Sequence, residues 1–340
     1  MHVISRLIAA CAALAVFSSL PALAEATLDV VKKRGQLVCG VNGELPGFSL
    51  LNAMKEWEGL DVDYCRAVAA AVLGDATKVK FVPLTADRRF DALAAGEVDI
   101  LARNSTGTLT RAAGGKVRFV TPNYYDGQAF VVSKKTDITQ ASSLRGGMIC
   151  VLKGTTHVFN MDNWFGVRQL HVLPVTFETP DKMYKAFFGS RCLAVTQDAT
   201  ALASTMVRSG RAGDYRMLPE IISKEPLGPY VRSGDEQWLD VARWTHYAML
   251  EAEEYNIRRN NVDDKRRGHE PLVRRLLGVE PGNGKVLGLD ESWAYSVIAQ
   301  VGNYSEIYER NVGMASPLKF ARGINALWSK GGLMYPLPLR

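Results

Sequence analysis

Short apolar runs alternate with stretches of helical period along the first two thirds of this chain, and that alternation constrains the fold more than any other feature. Residues 36–41 read as a buried strand, closed by turn-rich residues 42–47. Cys65, Val68, Ala69, Val72 and Leu73 then recur at helical spacing and stop at Gly74. Residues 78–82 read as a strand, 88–95 as a helix halted by Gly96, and 98–101 as a strand ending at Leu101. The pattern then restarts. Residues 148–152 are a strand, Gly154-Thr155-Thr156 a turn opening a helix through Trp164, and 172–177 a strand. A helix at 183–188, a strand at 192–196 and a helix at 199–208 follow. Strands alternating with helices imply parallel sheet built from βαβ units. The expected fold class is therefore α/β, in two modules meeting around residues 127–134.

Strand-like residues 128–132 and 228–232 supply two crossings between the modules, which together would make a hinge. Residues 237–252 and 293–308 have amphipathic helix patterns, so the C-terminal third is expected to be helical and to pack back on the first module. The division that results is a first lobe of residues 25–128 and 227–340 and a second lobe of 129–226. A chain of 340 residues exceeds the usual single-core size, which agrees with two lobes.

The N-terminus carries Arg6, an apolar run from residue 7 to 20 and the small-residue site Ala22-Leu23-Ala24. This is a secretory signal occupying residues 1–24, with cleavage expected after Ala24. Only four apolar residues precede Cys11, too few for the apolar region of a lipoprotein signal. Cleavage removes one basic and no acidic residue, lowering the formal charge from +6 to +5. That mild, interspersed charge argues against a nucleic-acid surface. In an oxidising compartment the remaining Cys39, Cys65, Cys150 and Cys192 read as disulfides, with three connectivities open. Sequential pairing would put one bridge in each lobe. No metal site is expected: there is no C-x-x-C, and the 5 histidines lack ligand spacing.

Ligands of α/β sheets bind beyond the carboxyl ends of strands, where helix N-termini offer free N–H groups. Three segments qualify. Residues 103–111, with Arg103, Asn104, Thr106, Thr108 and Arg111, place hydroxyls, an amide and two guanidinium groups after the strand ending at Leu101. Arg offers a bidentate fork to a carboxylate, although the same run could be a solvated helix cap. Gly154, Thr155 and Thr156 could cradle an anion or simply cap a helix. Asp198, at the start of a helix, could pair with an ammonium or act as an N-cap. Together they suit a zwitterion clamped between lobes. No nucleophile elbow, zincin, P-loop or dinucleotide motif follows a strand, so neither catalysis nor a cofactor is indicated.

At these segments the sequence resembles the periplasmic general L-amino-acid-binding proteins of polar amino-acid ABC transporters, the family 3 solute-binding proteins. The resemblance is carried by residues 45–49, 59–71, 124–128 and 218–229, then 309–313 and 321–328. It implies a type II periplasmic-binding fold with two crossover strands, monomeric, delivering a free L-amino acid to an inner-membrane permease. By position, Arg111 would hold the α-carboxylate, with Thr106, Thr108, Asn104, Phe48 and residues 154–156 around it, and Asp198 would take the α-ammonium. Three positions depart from the family pattern: Gly107 stands where a Trp is usual, Ala112 where an Asp is usual, and Thr156-His157-Val158 where T-T-E is usual. These should reshape the side-chain pocket. A rival on the same fold is an enzyme resembling cyclohexadienyl dehydratases, with His157 or Glu178 as its acid or base. A receptor's sensing domain is disfavoured, since no signalling segment follows Arg340.

Overall fold

The computed structural model describes residues 26–339, so the expected export signal lies outside the described residues. In chain order the strands are β1 (Leu37–Val41), β2 (Glu44–Leu45), β3 (Ser49–Leu51), β4 (Trp57–Glu58), β5 (Val79–Pro83), β6 (Ile100–Thr106), β7 (Val117–Phe119), β8 (Tyr124–Asp126), β9 (Gln128–Ser133), β10 (Met148–Leu152), β11 (Leu173–Phe177), β12 (Ala194–Asp198), β13 (Tyr215–Met217) and β14 (Glu225–Arg232). The first sheet runs β5-β1-β6-β14-β7, with β8 also on β14, and the second runs β11-β10-β12-β9-β13. Strands β2 to β4 form a small separate sheet.

Each large sheet carries the expected parallel βαβ strands together with antiparallel crossover strands. β5, β1 and β6 are parallel, as are β11, β10 and β12. β14 runs antiparallel to β6, and β9 antiparallel to β12. The antiparallel strands are the ones the chain uses to change lobes. It leaves the first sheet at Asp126 and enters the second at Gln128. It returns alongside, with Leu218 and Ile222 donating their N–H groups to Phe130 and Gln128 carbonyls at 2.8 and 2.9 Å before Glu225 pairs with Asp126. The two crossings are so close that a Cβ on Gly127 would lie 2.2 Å from the Ile221 side chain, so only glycine fits there. The fold is the two-lobed α/β architecture with two crossover strands.

Helix Leu60–Leu73 shows how one lobe is held. It starts after Gly59, ends on left-handed Gly74, and is buried on nearly every face because its alanines lie between the first sheet and the C-terminal helices. Tyr64 donates its hydroxyl to the Ala242 carbonyl at 2.8 Å, tying this helix to Glu236–Glu254. Trp238 and Trp293 are fully buried in the same core, so the C-terminal third does pack on the first lobe. In the second lobe, alternation along β10 divides the core. Cys150 faces Met183, Phe187 and Leu202, and Ile149 faces Phe130, Leu144 and Phe165. Disulfides join Cys39 to Cys65 and Cys150 to Cys192, each fastening a sheet to its neighbouring element. This is the sequential pairing. Loops of this length contribute roughly 3–4 kcal/mol each in the chain-entropy treatment.

Three boundaries differ from expectation. β6 continues past Leu101 to Thr106 because β14 pairs with it there, Leu227 opposite Thr106 and Gly228 opposite Ser105. β12 extends to Asp198, paired with Gln128. The single helix expected at 293–308 is two, Trp293–Gln300 and Tyr304–Asn311. Gly302 at φ 102° breaks it, and Asn303 restarts it with a capping box to Glu306.

Candidate ligand-binding cleft

The expected site residues gather where the carboxyl ends of β6, β10 and β12 meet the beginning of β14. The lobes touch there. Gly154, at φ 74°, sits so close to the first lobe that a Cβ would come within 2.9 Å of Asp87 Cα and 3.0 Å of its nitrogen. Tyr124 and Thr200 share a 3.0 Å hydroxyl contact across the gap, and Arg208 donates to the Glu44 carbonyl at 3.2 Å.

Arg111 is half-buried on the short helix Leu109–Ala113. Its Nη1 donates to the Thr106 carbonyl at 3.0 Å, and its guanidinium lies over the Phe90 ring, 5.2 Å from the centroid. The same carbonyl accepts the Tyr230 hydroxyl at 2.7 Å, which fixes its direction. Burial holds the Arg111 pKa below its usual range. One face of the guanidinium is thus anchored, leaving the rest of its fork to a carboxylate.

Asp198 is 4% exposed and makes no cap bond to helix Ala199–Arg208, so capping does not account for it. Its Oδ1 instead lies 3.0 Å from His157 Nε2. Gln128 holds that segment by donating Nε2–H to the His157 carbonyl at 3.1 Å and to Thr196 Oγ1 at 2.9 Å. His157 Nδ1 is buried without a hydrogen-bond partner among the described residues. Asp126 stands nearby, its pKa pushed up to about 7 by burial and by the Asp198 charge, while N–H groups of Gly127 and Thr200 oppose that rise.

Glu225, the first residue of β14, was not anticipated. It is buried and accepts from four side chains: Thr106 and Thr156 on Oε2, the latter at 3.1 Å, and Asn160 and Ser223 on Oε1 at 2.6 and 2.7 Å. An acid opening the apolar strand Pro226-Leu227-Gly228-Pro229-Tyr230 was a visible signal. Its donors come from three separate segments, and no spacing reveals that.

The remaining candidates fall into different places. The Thr155 hydroxyl bonds back to the Leu152 carbonyl at 2.8 Å, and neither Thr155 nor Thr156 caps the helix that follows. Thr108 does cap, accepting the Arg111 N–H at 3.3 Å. Asn104 sits at φ 34°, its N–H donating to Asp61 Oδ2 at 2.9 Å and its side-chain oxygen accepting from Asn42 at 3.2 Å. Phe48 is a correction. At 1% exposure, with its ring edge-on to Tyr124 at 5.1 Å, it belongs to the first-lobe core and not to the cleft wall, because the β2–β3 turn folds inward. Gly107 has a local cause: Phe119 lies where its Cβ would go, at 2.8 Å, so an aromatic from β7 covers the strand end. Ala112 is half-buried and makes only a helical backbone bond to Thr108. Glu178 is exposed.

His157, Asp198 and Glu225 bring one donor atom each within 4.8 Å of one another. A cation placed there would have to displace the donors on Glu225 and the imidazole on Asp198.

Two α/β lobes with polar strand ends facing one another across adjacent crossovers define a solute receptor of the bacterial periplasmic-binding class. Residues 37–275 match the bacterial extracellular solute-binding proteins, family 3, and the chain belongs to that family. It is 46% identical over 316 residues to the general L-amino acid-binding periplasmic protein AapJ of Rhizobium johnstonii, covering 92% of this chain and 93% of that one. It is 47% identical over 320 residues to the glutamate/glutamine/aspartate/asparagine-binding protein BztA of Rhodobacter capsulatus, covering 94% and 95%. An ABC transporter periplasmic binding protein from Brucella ovis, solved with glutathione bound, superposes with TM-score 0.90 at 48% identity, covering 93% of this chain and 99% of that one. Among the described residues no helix is long and apolar enough to cross a membrane.

Proposed function

We propose that this protein is exported to the periplasm, with its signal removed after Ala24, and that as a monomer it captures a free L-amino acid for an inner-membrane ABC permease. In this reading the first lobe comprises residues 25–128 and 227–340 and the second 129–226. Arg111 takes the α-carboxylate, with Thr106 and residues 154–156 beside it, and Asp198, assisted by Asp126, takes the α-ammonium. The observation that carries the reading is the pairing of a half-free Arg fork on one lobe with an uncapped, buried carboxylate on the other, where Gly154 meets Asp87. The names of AapJ and BztA support it. A binding role without turnover is part of the proposal. The names of the relatives as binding proteins support it, and Glu178 is exposed. Calorimetry against the common amino acids tests it. Stoichiometric binding with no consumption of prephenate or arogenate is expected. Absence of binding by every amino acid would end the reading, and turnover of either acid would replace it with the enzyme.

A further inference from the structure

Resting on that reading, we infer that His157 is a displaceable internal competitor for Asp198: its imidazole holds the place that the ligand's α-ammonium takes, and the amino acid binds by turning it out. The contact lies wholly within the second lobe. His157 is the first residue of helix His157–Gly166, and Asp198 is the last of β12. It is therefore independent of how far the lobes have closed, and a ligand entering the open cleft meets it already made.

A carboxylate oxygen only accepts, so the 3.0 Å contact is the imidazole Nε2–H donating to Asp198 Oδ1. Each side chain is 6% exposed, so the pair is withdrawn from water together. Among the described residues His157 is the one hydrogen-bond donor to the Asp198 side chain. Other acids crowd the carboxylate. Glu225 brings an oxygen within 4.8 Å of ligating atoms of both His157 and Asp198, and Asp126 is near enough for the Asp198 charge to raise its pKa. A carboxylate buried among acids is costly unless a donor or a cation faces it. In the free protein His157 fills that need. An α-ammonium fills it better, with a full positive charge and three N–H donors.

The imidazole, by contrast, is poorly accommodated where it stands. Its Nδ1 is buried without a partner among the described residues. Gln128, whose Nε2 holds the His157 carbonyl at 3.1 Å, has its own Oε1 buried and unpartnered as well. A buried polar atom without a partner carries a desolvation cost that is recovered when it reaches water or another polar group. Leaving Asp198 thus costs the imidazole one bond and releases its second nitrogen. The backbone has no need to follow. It is held by Gln128 and by Thr156 and Asn160, which both donate to Glu225, so a change of side-chain rotamer is enough. Binding is then an exchange of one Asp198 partner for another, and the loss of the His157 contact offsets part of what the ammonium contributes.

The test is calorimetry with the common L-amino acids on wild type, His157→Ala and Asp198→Asn, with a melting curve of each protein free and saturated. Every amino acid that binds wild type should bind His157→Ala at least about fivefold more tightly and Asp198→Asn at least about tenfold more weakly. Free His157→Ala should melt below free wild type, because Asp198 has lost its partner, and the gap should narrow when both are saturated. A gain of less than about fivefold in His157→Ala, or weaker binding, overturns the competitor. The amino-acid reading then stands if Asp198→Asn still binds weakly. An Asp198→Asn protein that binds like wild type removes Asp198 from the site and this inference with it, and no binding by either wild type or His157→Ala removes both. Should His157→Ala fail to fold, a crystal structure of wild type with a bound amino acid decides alone. An ammonium on Asp198 with His157 Nε2 beyond about 3.5 Å supports the exchange, and an imidazole still bonded to Asp198 overturns it.

Discussion

The Arg111 guanidinium is positioned through a carbonyl that Tyr230 also engages, so its aim depends on contacts far away in sequence. Replacing Arg111 with alanine should cost at least about 2 kcal/mol of ligand binding, roughly thirtyfold, because a desolvated carboxylate loses its partner. Calorimetry reads this directly, and unchanged affinity would remove Arg111 from the site. Asp126 offers a pH test. It titrates near 3.9 when unfolded, whereas burial and Asp198 raise it to about 7 in the fold. The folded protein therefore binds this proton more tightly. The stabilisation is complete below about pH 4 and is lost as pH rises through about 7. In Asp126→Asn the urea midpoint should decline less steeply between these limits than in wild type. Equal slopes would show that Asp126 does not hold its proton. Asp61, raised to about 7 by burial, contributes a slope of the same sign in both proteins.

Among the elements, β14 matters most to the site. Its first residue, Glu225, receives Thr106 from the first lobe and Thr156 and Asn160 from the second, so one carboxylate joins both lobes to the crossover. Glu225→Ala leaves these donors without an acceptor and should lower stability by about 2 kcal/mol. Urea unfolding would show it, and a loss below about 0.5 kcal/mol would mean that water replaces the carboxylate at little cost. Strand and helix positions were legible wherever a period ran uninterrupted, as in β10 or helix Ala199–Arg208. They failed at ends governed by partners. β6 outlasts its apolar run only because β14 lies beside it, and the break at Gly302 looked like one turn of a continuing amphipathic helix until Asn303 was seen to cap a new one.

For the whole molecule, the contact of Gly154 with the Asp87 backbone sets how closely the lobes approach. Gly154→Ala places a methyl 2.9 Å from Asp87 Cα and asks alanine to hold φ 74°. Ligand affinity should fall at least tenfold, and the radius of gyration with ligand, measured by X-ray scattering, should stay above that of liganded wild type. Normal compaction would show that the lobes meet elsewhere. Local pattern alone pointed to an export signal and to two α/β modules, and it put Arg111, Gly154 and Asp198 at or just beyond strand ends, because these readings depend on period, turn chemistry and charge within a few residues. Tertiary structure decided which cysteines pair, that Phe48 turns into the core, that His157 occupies Asp198, and that Glu225 sits at the centre of the polar network. Each of these joins segments tens of residues apart, and such neighbours are created only when the sheets form and the two crossovers bring the lobes face to face.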